Sequence, residues 1–184
     1  MITVVIGGSN SGKSRLAEDL AVRSGCRYRY YIATMVVMDD EGEKRVAKHR
    51  IQRKGKGFVT LEIPEDVERA AGSIKSPQDT VAVLECVTNL VGNIMFAGVD
   101  GSPQSAVNTA ELAEIVAGKV VSLAGNVSHL IVVSGQYMPS DDDDEETAAY
   151  KSALDKVNIR LRQLADKVYD MKDTDIRDKK ETAI

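Results

Sequence analysis

The sequence predicts an α/β fold in which a mostly parallel sheet is covered by helices on both faces. Three observations lead to this prediction. Short runs of valine, isoleucine and leucine alternate along the chain with segments of helical spacing. Several of these apolar runs are nearly continuous, as expected for strands that are buried on both faces. The first run is followed at once by a glycine-rich turn and a helical segment, an order typical of a strand–loop–helix unit.

The strand predictions rest on apolar and β-branched composition. The first strand, Ile2-Thr3-Val4-Val5-Ile6, contains only one polar residue, and the fourth and fifth are strongly apolar. The third ends before Pro64, which has no N–H group to donate to a sheet. The six predicted strands comprise residues 2–6, 28–33, 58–63, 80–85, 129–134 and 167–171.

The helix predictions rest on apolar residues that recur every three or four positions between the strands. Acidic residues at positions 39–41 begin the second helix, where the helix dipole favours them. A turn at Gly101-Ser102-Pro103 separates the fourth helix from the fifth. The six predicted helices comprise residues 15–21, 41–53, 65–74, 88–97, 109–123 and 147–165. We therefore expect one domain over residues 1–171 and a polar C-terminal tail over 172–184.

Composition narrows the class of function. The 184 residues are 43% hydrophobic and 28% charged, which is close to ordinary globular usage. A net charge of −4 argues against nucleic acid as the main partner, because phosphate backbones attract basic surfaces. No apolar run approaches the roughly 18 residues of a membrane span, and the N-terminus lacks a signal pattern. With two cysteines and no metal-ligand spacing, we expect a cytoplasmic protein with reduced thiols.

The most informative motif follows the first predicted strand. It reads Gly7-Gly8-Ser9-Asn10-Ser11-Gly12-Lys13-Ser14 and fits the P-loop pattern G-x-x-x-x-G-K-[ST]. In a P-loop, backbone N–H groups and the N-terminus of the next helix bind phosphate oxygens. Lys13 is predicted to contact the β- and γ-phosphates, and the Ser14 hydroxyl to bind Mg²⁺. An ordinary glycine-rich turn is the alternative, and the strand–helix context disfavours it.

Arg45, His49 and Arg53 recur at every fourth position of the second predicted helix and so share one face. Nearby positive charges favour the neutral form of the imidazole. A neutral imidazole can attack a phosphorus atom while arginines stabilise charge on the phosphoryl oxygens. A solvated basic face with an incidental histidine is the alternative, and the spacing alone favours that alternative.

Several segments beyond the P-loop narrow the choice of family. They are Tyr31-Ile32-Ala33-Thr34, Asp39-Asp40-Glu41, Arg45, the run from His49 to Arg53, the run from Gly57 to Glu62, and the run from Leu84 to Leu90. Together with the P-loop, they resemble the bifunctional adenosylcobinamide kinase/adenosylcobinamide-phosphate guanylyltransferase family. The resemblance covers most of the chain up to about residue 170.

The resemblance implies a RecA-like P-loop fold and a late step in assembling the nucleotide loop of coenzyme B12, or cobalamin. The family phosphorylates the aminopropanol hydroxyl of adenosylcobinamide, a corrinoid, with a nucleoside triphosphate. It then transfers GMP from GTP to that phosphate through a GMP–histidine intermediate, and His49 matches this histidine. Mg²⁺ with ATP and GTP, and a homo-oligomer that is a homotrimer in known cases, are therefore implied.

The resemblance also implies nucleotide-binding positions outside the P-loop: Ala33, Thr34, Arg50, Ile51, Gln52, Arg53, Glu62 and Glu85. Glu85 ends a buried strand, where P-loop enzymes commonly place an acid near Mg²⁺; a carboxylate that caps the next helix is the alternative.

One departure concerns Gly135-Gln136, which stands where the family usually has Asn-Glu, so that an expected carboxylate is missing. Two alternatives therefore stay open. One is a small-molecule kinase that lacks guanylyl transfer, and the other is a non-catalytic nucleotide-binding regulatory protein.

Overall fold

A six-stranded sheet organises the computed structural model, which describes residues 1–37, 39–96 and 108–171 without the side chains of residues 41 and 45. Its strands are β1 (Ile2–Gly7), β2 (Tyr28–Ala33), β3 (Phe58–Glu62), β4 (Thr80–Glu85), β5 (His129–Gly135) and β6 (Lys167–Met171). They lie in the order β3-β2-β4-β5-β1-β6, and each neighbouring pair is parallel. The predicted sheet is therefore confirmed, with all six strands within one residue of their predicted bounds.

The described helices are α1 (Lys13–Arg23), α2 (Asp40–Arg53), α3 (Val87–Met95), α4 (Thr109–Ala124) and α5 (Glu145–Leu164). Asp39 caps α2, because its Oδ1 accepts a hydrogen bond from the backbone N–H of Gly42 at 2.7 Å. The predicted turn at residues 101–103 and the predicted tail at residues 172–184 lie outside the described residues, as does residue 97 of the predicted fourth helix.

The α-helix predicted over residues 65–74 is wrong. A 3₁₀ helix, Val67–Ser73, occupies this segment, and a second one, Pro77–Asp79, follows it before β4. Val67 and Ala70 are both fully buried and lie three residues apart. That separation matches the three-residue turn of a 3₁₀ helix, in which residues i and i+3 share a face.

The apolar core forms two layers, one on each face of the sheet. Neighbouring residues of β1 show the division, because Val4 and Ile6 belong to the larger layer and Val5 belongs to the smaller. The larger layer includes buried residues of α3, α4 and α5. The smaller one includes Ala17 and Ala21 of α1. Helices therefore cover both faces, as predicted.

Since all the strands are parallel, their carboxyl ends meet at one edge of the sheet. The P-loop follows β1 at this edge, and Glu85 ends β4 two strands away, with β5 between them. Gly7 lies so close to β6 that a Cβ atom there would collide with the backbone oxygen of Met171. Among the described residues, no helix has the length and hydropathy needed to cross a bilayer.

Candidate functional site

The P-loop turns into α1 through two residues with positive φ, Asn10 at 58° and Gly12 at 85°. Gly12 is the N-cap of α1, and its left-handed conformation favours glycine. Lys13 begins the helix, and its ammonium donates a hydrogen bond to the backbone oxygen of Gly8. The same ammonium lies 3.5 Å from Ser11 Oγ. The lysine therefore folds back over the loop whose amides are predicted to bind phosphate.

Glu85 faces the P-loop from the end of β4. The Ser14 hydroxyl donates a hydrogen bond to Glu85 Oε1 at 2.8 Å, whereas Oε2 is buried without a hydrogen-bond partner among the described residues. Burial raises the pKa of Glu85 to about 7, although the Ser14 hydrogen bond and the Lys13 charge lower it. A hydroxyl beside an unpaired carboxylate oxygen is the donor chemistry that Mg²⁺ prefers, so these two residues fit that ion.

His49 is half-buried on α2, and its Nδ1 atom is buried without a hydrogen-bond partner in the described part of the chain. Its pKa lies below the ordinary value, chiefly because of burial and secondly because of the positive charge of Arg53. The sequence analysis inferred a neutral imidazole from the arginines alone, whereas desolvation is the larger cause. The side chain of Arg45, the other arginine of this face, lies outside the described residues.

Arg53 is only 7% exposed, so it does not belong to a solvated basic face. Its guanidinium carbon lies 3.6 Å from the ring centroid of Tyr31, which gives a cation–π contact. The Nη2 atom reaches the Thr60 hydroxyl at 3.5 Å, whereas Nη1 is buried without a partner among the described residues. A fixed guanidinium with an unsatisfied donor is suited to binding an anion.

Glu18 holds α2 against α1, and the sequence analysis missed it. This α1 carboxylate is 0% exposed. It accepts hydrogen bonds from Gln52 Nε2 at 3.0 Å and from Lys56 Nζ at 2.7 Å. The available signal is a glutamate beside Ala17 on the apolar face of α1, because a buried charge requires partners.

One cleft of about 630 Å³, here named the P-loop cleft, brings most of the predicted site residues together. It is lined by Lys13, Ser14, Ala33, His49, Arg50, Arg53, Glu62 and Glu85. Arg50 and Glu62 form an exposed ion pair within this lining, with 2.9 Å between Nη2 and Oε1. The P-loop, the end of β4 and one face of α2 therefore share a single space, as the sequence analysis required.

Three predicted residues do not line this cleft. Thr34 is fully buried, and its hydroxyl exchanges two 2.8 Å hydrogen bonds with the backbone of Cys86. Ile51 is 73% exposed, and Gln52 is bonded to Glu18. Residues 7–12 of the P-loop are also absent from the lining. The nucleotide-binding roles of all these residues stay predictions.

Several residues that do line the P-loop cleft were not predicted. They follow strands at the carboxyl edge, or begin α3: Met35, Val36, Val37, Thr88, Asn89 and Tyr137. Their position directly after a predicted strand is the signal that identifies them, since loops at this edge carry the binding residues of parallel sheets.

Gly135 lines the same cleft, and its surroundings explain why it has no side chain. Its N–H donates a hydrogen bond to the Thr88 hydroxyl at 2.7 Å. A Cβ atom on Gly135 would lie 2.7 Å from that same oxygen. The next residue, Gln136, is exposed and does not line the cleft. The Asn-Glu pair usual in the resembling family is therefore replaced by a packed glycine and an exposed amide.

Comparison with known proteins places this geometry in context. The chain is 38% identical over 96 residues to the bifunctional adenosylcobalamin biosynthesis protein CobU of Escherichia coli, which covers 52% of this chain and 51% of the relative. It is 34% identical over 105 residues to CobU of Salmonella typhimurium, covering 56% of each chain. The match thus spans about half the length of these curated relatives.

Among solved structures, an ATPase domain is similar with a TM-score of 0.55 at 11% identity, covering 98% of this chain and 72% of that one. This likeness concerns the fold alone, and it confirms the RecA-like P-loop fold. The sequence pattern described as cobinamide kinase / cobinamide phosphate guanyltransferase matches residues 3–173. The chain therefore belongs to the cobinamide kinase / cobinamide phosphate guanyltransferase family.

Proposed function

We propose that this chain catalyses two successive steps of cobalamin biosynthesis. It phosphorylates adenosylcobinamide with a nucleoside triphosphate, and it then transfers GMP from GTP to the new phosphate. Family membership supports the pair of reactions. The observation that carries the proposal is the P-loop cleft, because it contains both the P-loop residues Lys13 and Ser14 and the α2 residues His49 and Arg53.

In the first step, the acceptor hydroxyl attacks the γ-phosphorus. A new O–P bond forms, the bond to the β–γ bridging oxygen breaks, and the nucleoside diphosphate leaves as the hydroxyl loses its proton. The P-loop amides and the Lys13 ammonium stabilise the charge on the phosphoryl oxygens. Ser14 and Glu85 would hold Mg²⁺, which when bound supplies further positive charge to the phosphates.

In the second step, a ring nitrogen of His49 attacks the α-phosphorus of GTP. An N–P bond forms, and pyrophosphate leaves with the α–β bridging oxygen. An oxygen of the acceptor phosphate then attacks the GMP phosphorus, the N–P bond breaks and His49 is regenerated. Two features support this role: burial keeps the imidazole neutral, and Arg53 has an unsatisfied donor.

A kinase that lacks guanylyl transfer is the second candidate, and Gly135 is the observation that favours it. The Thr88 hydroxyl occupies the space that a side chain at this position requires. The carboxylate that the family usually carries after this strand is absent, since Gln136 has none. In that case the first transfer proceeds and the second does not.

The test separates the two steps by mass spectrometry of the corrinoid. The purified chain is incubated with adenosylcobinamide, Mg²⁺ and ATP, and GTP is added after the phosphorylated product has accumulated. We expect adenosylcobinamide phosphate first and adenosylcobinamide-GDP second, with neither in Lys13→Ala. Phosphate without GDP supports the kinase alone, and nucleotide binding without any product supports the regulatory alternative.

Other features stay predictions. A single domain over residues 1–171, a homo-oligomer that is a homotrimer in the form implied by the resemblance, and a cytoplasmic location are all part of the proposal. Sedimentation of the purified chain at two concentrations tests the oligomer, because a stable trimer keeps three times the mass of one chain at both.

A further inference from the structure

A second cleft, of about 720 Å³, adjoins the P-loop cleft on the side of α3 and α5. The two share four lining residues: Met35, Val36, Thr88 and Asn89. The rest of its lining comes from α3, from the first turns of α5 and from Glu65, which follows β3. None of the roles discussed above uses this space.

We propose that this second cleft binds the corrinoid acceptor and presents its hydroxyl to the P-loop cleft. The inference rests on the proposed function, and it adds the position of the acceptor. Thr88 lines both clefts and lies three residues after Glu85, the partner of Ser14. An acceptor in the second cleft therefore approaches the predicted phosphate position from the side opposite α2.

The charges of the second cleft fit a cation better than a nucleotide. Among the described residues its lining contains two carboxylates, Glu65 and Glu146, and no lysine or arginine. Neither carboxylate has an ion-pair partner in the described part of the chain. Phosphates would be repelled here, whereas an adenosylated cobalt(III) corrinoid carries a net positive charge because its macrocycle is monoanionic.

The walls of the second cleft fit the remaining chemistry of a corrinoid, which combines apolar ring edges with peripheral amides. Met35, Val36, Phe96 and the ring of Tyr150 provide apolar surface, and Asn89 provides a side-chain amide. Large ligands of this kind bind in mainly apolar clefts with a few polar groups that fix their orientation.

Hydrogen bonds hold this cleft open. The Tyr150 hydroxyl donates to the backbone oxygen of Thr88 at 2.9 Å, which fixes the ring as a wall between α5 and α3. Asn93 Nδ2 donates to the backbone oxygens of Thr34 and Pro64, both at 2.8 Å, which ties α3 to the loops after β2 and β3. A preformed site binds with less loss of conformational entropy.

The first test uses two adjacent glutamates at the start of α5. Glu145 and Glu146 are both exposed, but only Glu146 lines the second cleft. Glu146→Lys should raise the KM for adenosylcobinamide about fivefold, as expected when an attraction at an exposed site becomes a repulsion. Glu145→Lys, the matched control, should stay within about twofold, and the KM for ATP should not change in either.

The second test fills the cleft. Gly92 of α3 lies 3.7 Å from the Tyr150 ring, measured from an added Cβ atom, so Gly92→Leu places its larger side chain in the acceptor space. The Kd for adenosylcobinamide, measured by equilibrium dialysis, should rise at least about tenfold, with ATP binding retained. Gly118→Leu, on an exposed position of α4, controls for a glycine lost from a helix.

The outcomes distinguish the two levels of the proposal. If the wild-type chain phosphorylates adenosylcobinamide while Glu146→Lys and Gly92→Leu match their controls, the second cleft is not the acceptor site and the proposed function stands. If the wild-type chain neither binds nor phosphorylates adenosylcobinamide, both are overturned. Glu146→Lys decides the matter even if Gly92→Leu does not fold, because Glu146 is exposed.

Discussion

Replacing Glu18 by glutamine removes the buried charge that joins α1 to α2. In the native chain the Glu18 side chain is 0% exposed, and it pairs with Lys56, whose side chain is 26% exposed, at 2.7 Å. Glutamine keeps the carbonyl that accepts from Gln52 but presents an N–H donor to the Lys56 ammonium. The variant therefore loses an ion pair without creating a cavity.

The expected magnitude follows from this geometry. Removing one partner of a fully buried ion pair costs about 3–5 kcal/mol. The partial exposure of Lys56 lets water replace part of the lost interaction, so we expect a loss of about 2 kcal/mol in the free energy of unfolding. For a chain of this size, that corresponds to a fall in Tm of about 4–8 °C, measured by thermal or urea unfolding.

Asp19→Asn is the matched control, because Asp19 also lies near Lys56. Its carboxylate is 3.6 Å from the ammonium and its side chain is 43% exposed, so we expect a change of about 0.5 kcal/mol or less. The Glu18 charge also raises the pKa of His49, so that pKa should fall further in Glu18→Gln and not rise. Equal stability losses in the two variants would refute the reasoning that Glu18 holds α2 in place.

Three further predictions concern single residues. Lys13→Ala should weaken ATP binding by about 2 kcal/mol, or roughly thirtyfold, measured by calorimetry, and unchanged affinity would contradict the P-loop interpretation. Burial lowers the pKa of His49 below its ordinary 6.5, so its NMR titration midpoint should lie under that value; the imidazole keeps its lone pair as the pH falls through 6.5 and loses it only at lower pH. The sign also requires that His49 contribute stability above 6.5 that is lost as the pH falls through the folded pKa. Gly135→Ala should cost about 1–3 kcal/mol of stability, because its Cβ would lie 2.7 Å from Thr88 Oγ1. Gly72→Ala is its control, since no atom lies within 4 Å of the added Cβ, and similar losses in both would argue against this packing.

The sequence predicted the strands well because each is a short apolar run with clear ends. β2 and β4 have the predicted bounds, and the P-loop occupies its expected place between β1 and α1. Strand order could not be predicted, since β1 pairs with β5, more than one hundred residues away, and periodicity contains no information on neighbours. The 3₁₀ helix Val67–Ser73 was mistaken for an α-helix because a spacing of three residues suits both.

The candidate site was predicted in part for the same reason. Residues that directly follow a strand or share one helix face could be grouped from the sequence, as with Glu85 and His49. Glu18 could not, because its ion-pair partner Lys56 is 38 residues away and nothing local identifies the pair. The packing of Gly135 against Thr88 likewise depends on two elements 47 residues apart.

Covalent labelling with GTP tests the central proposal most directly. The chain has two histidines, and His129, which is bonded to Thr3 at the start of β5, provides the internal control. With GTP labelled at the α-phosphate, wild type and His129→Gln should acquire acid-labile, protein-bound GMP, whereas His49→Gln should acquire none. A wild-type chain that stays unlabelled, or a His49→Gln variant labelled to the same extent, would contradict the proposal that His49 accepts the guanylyl group.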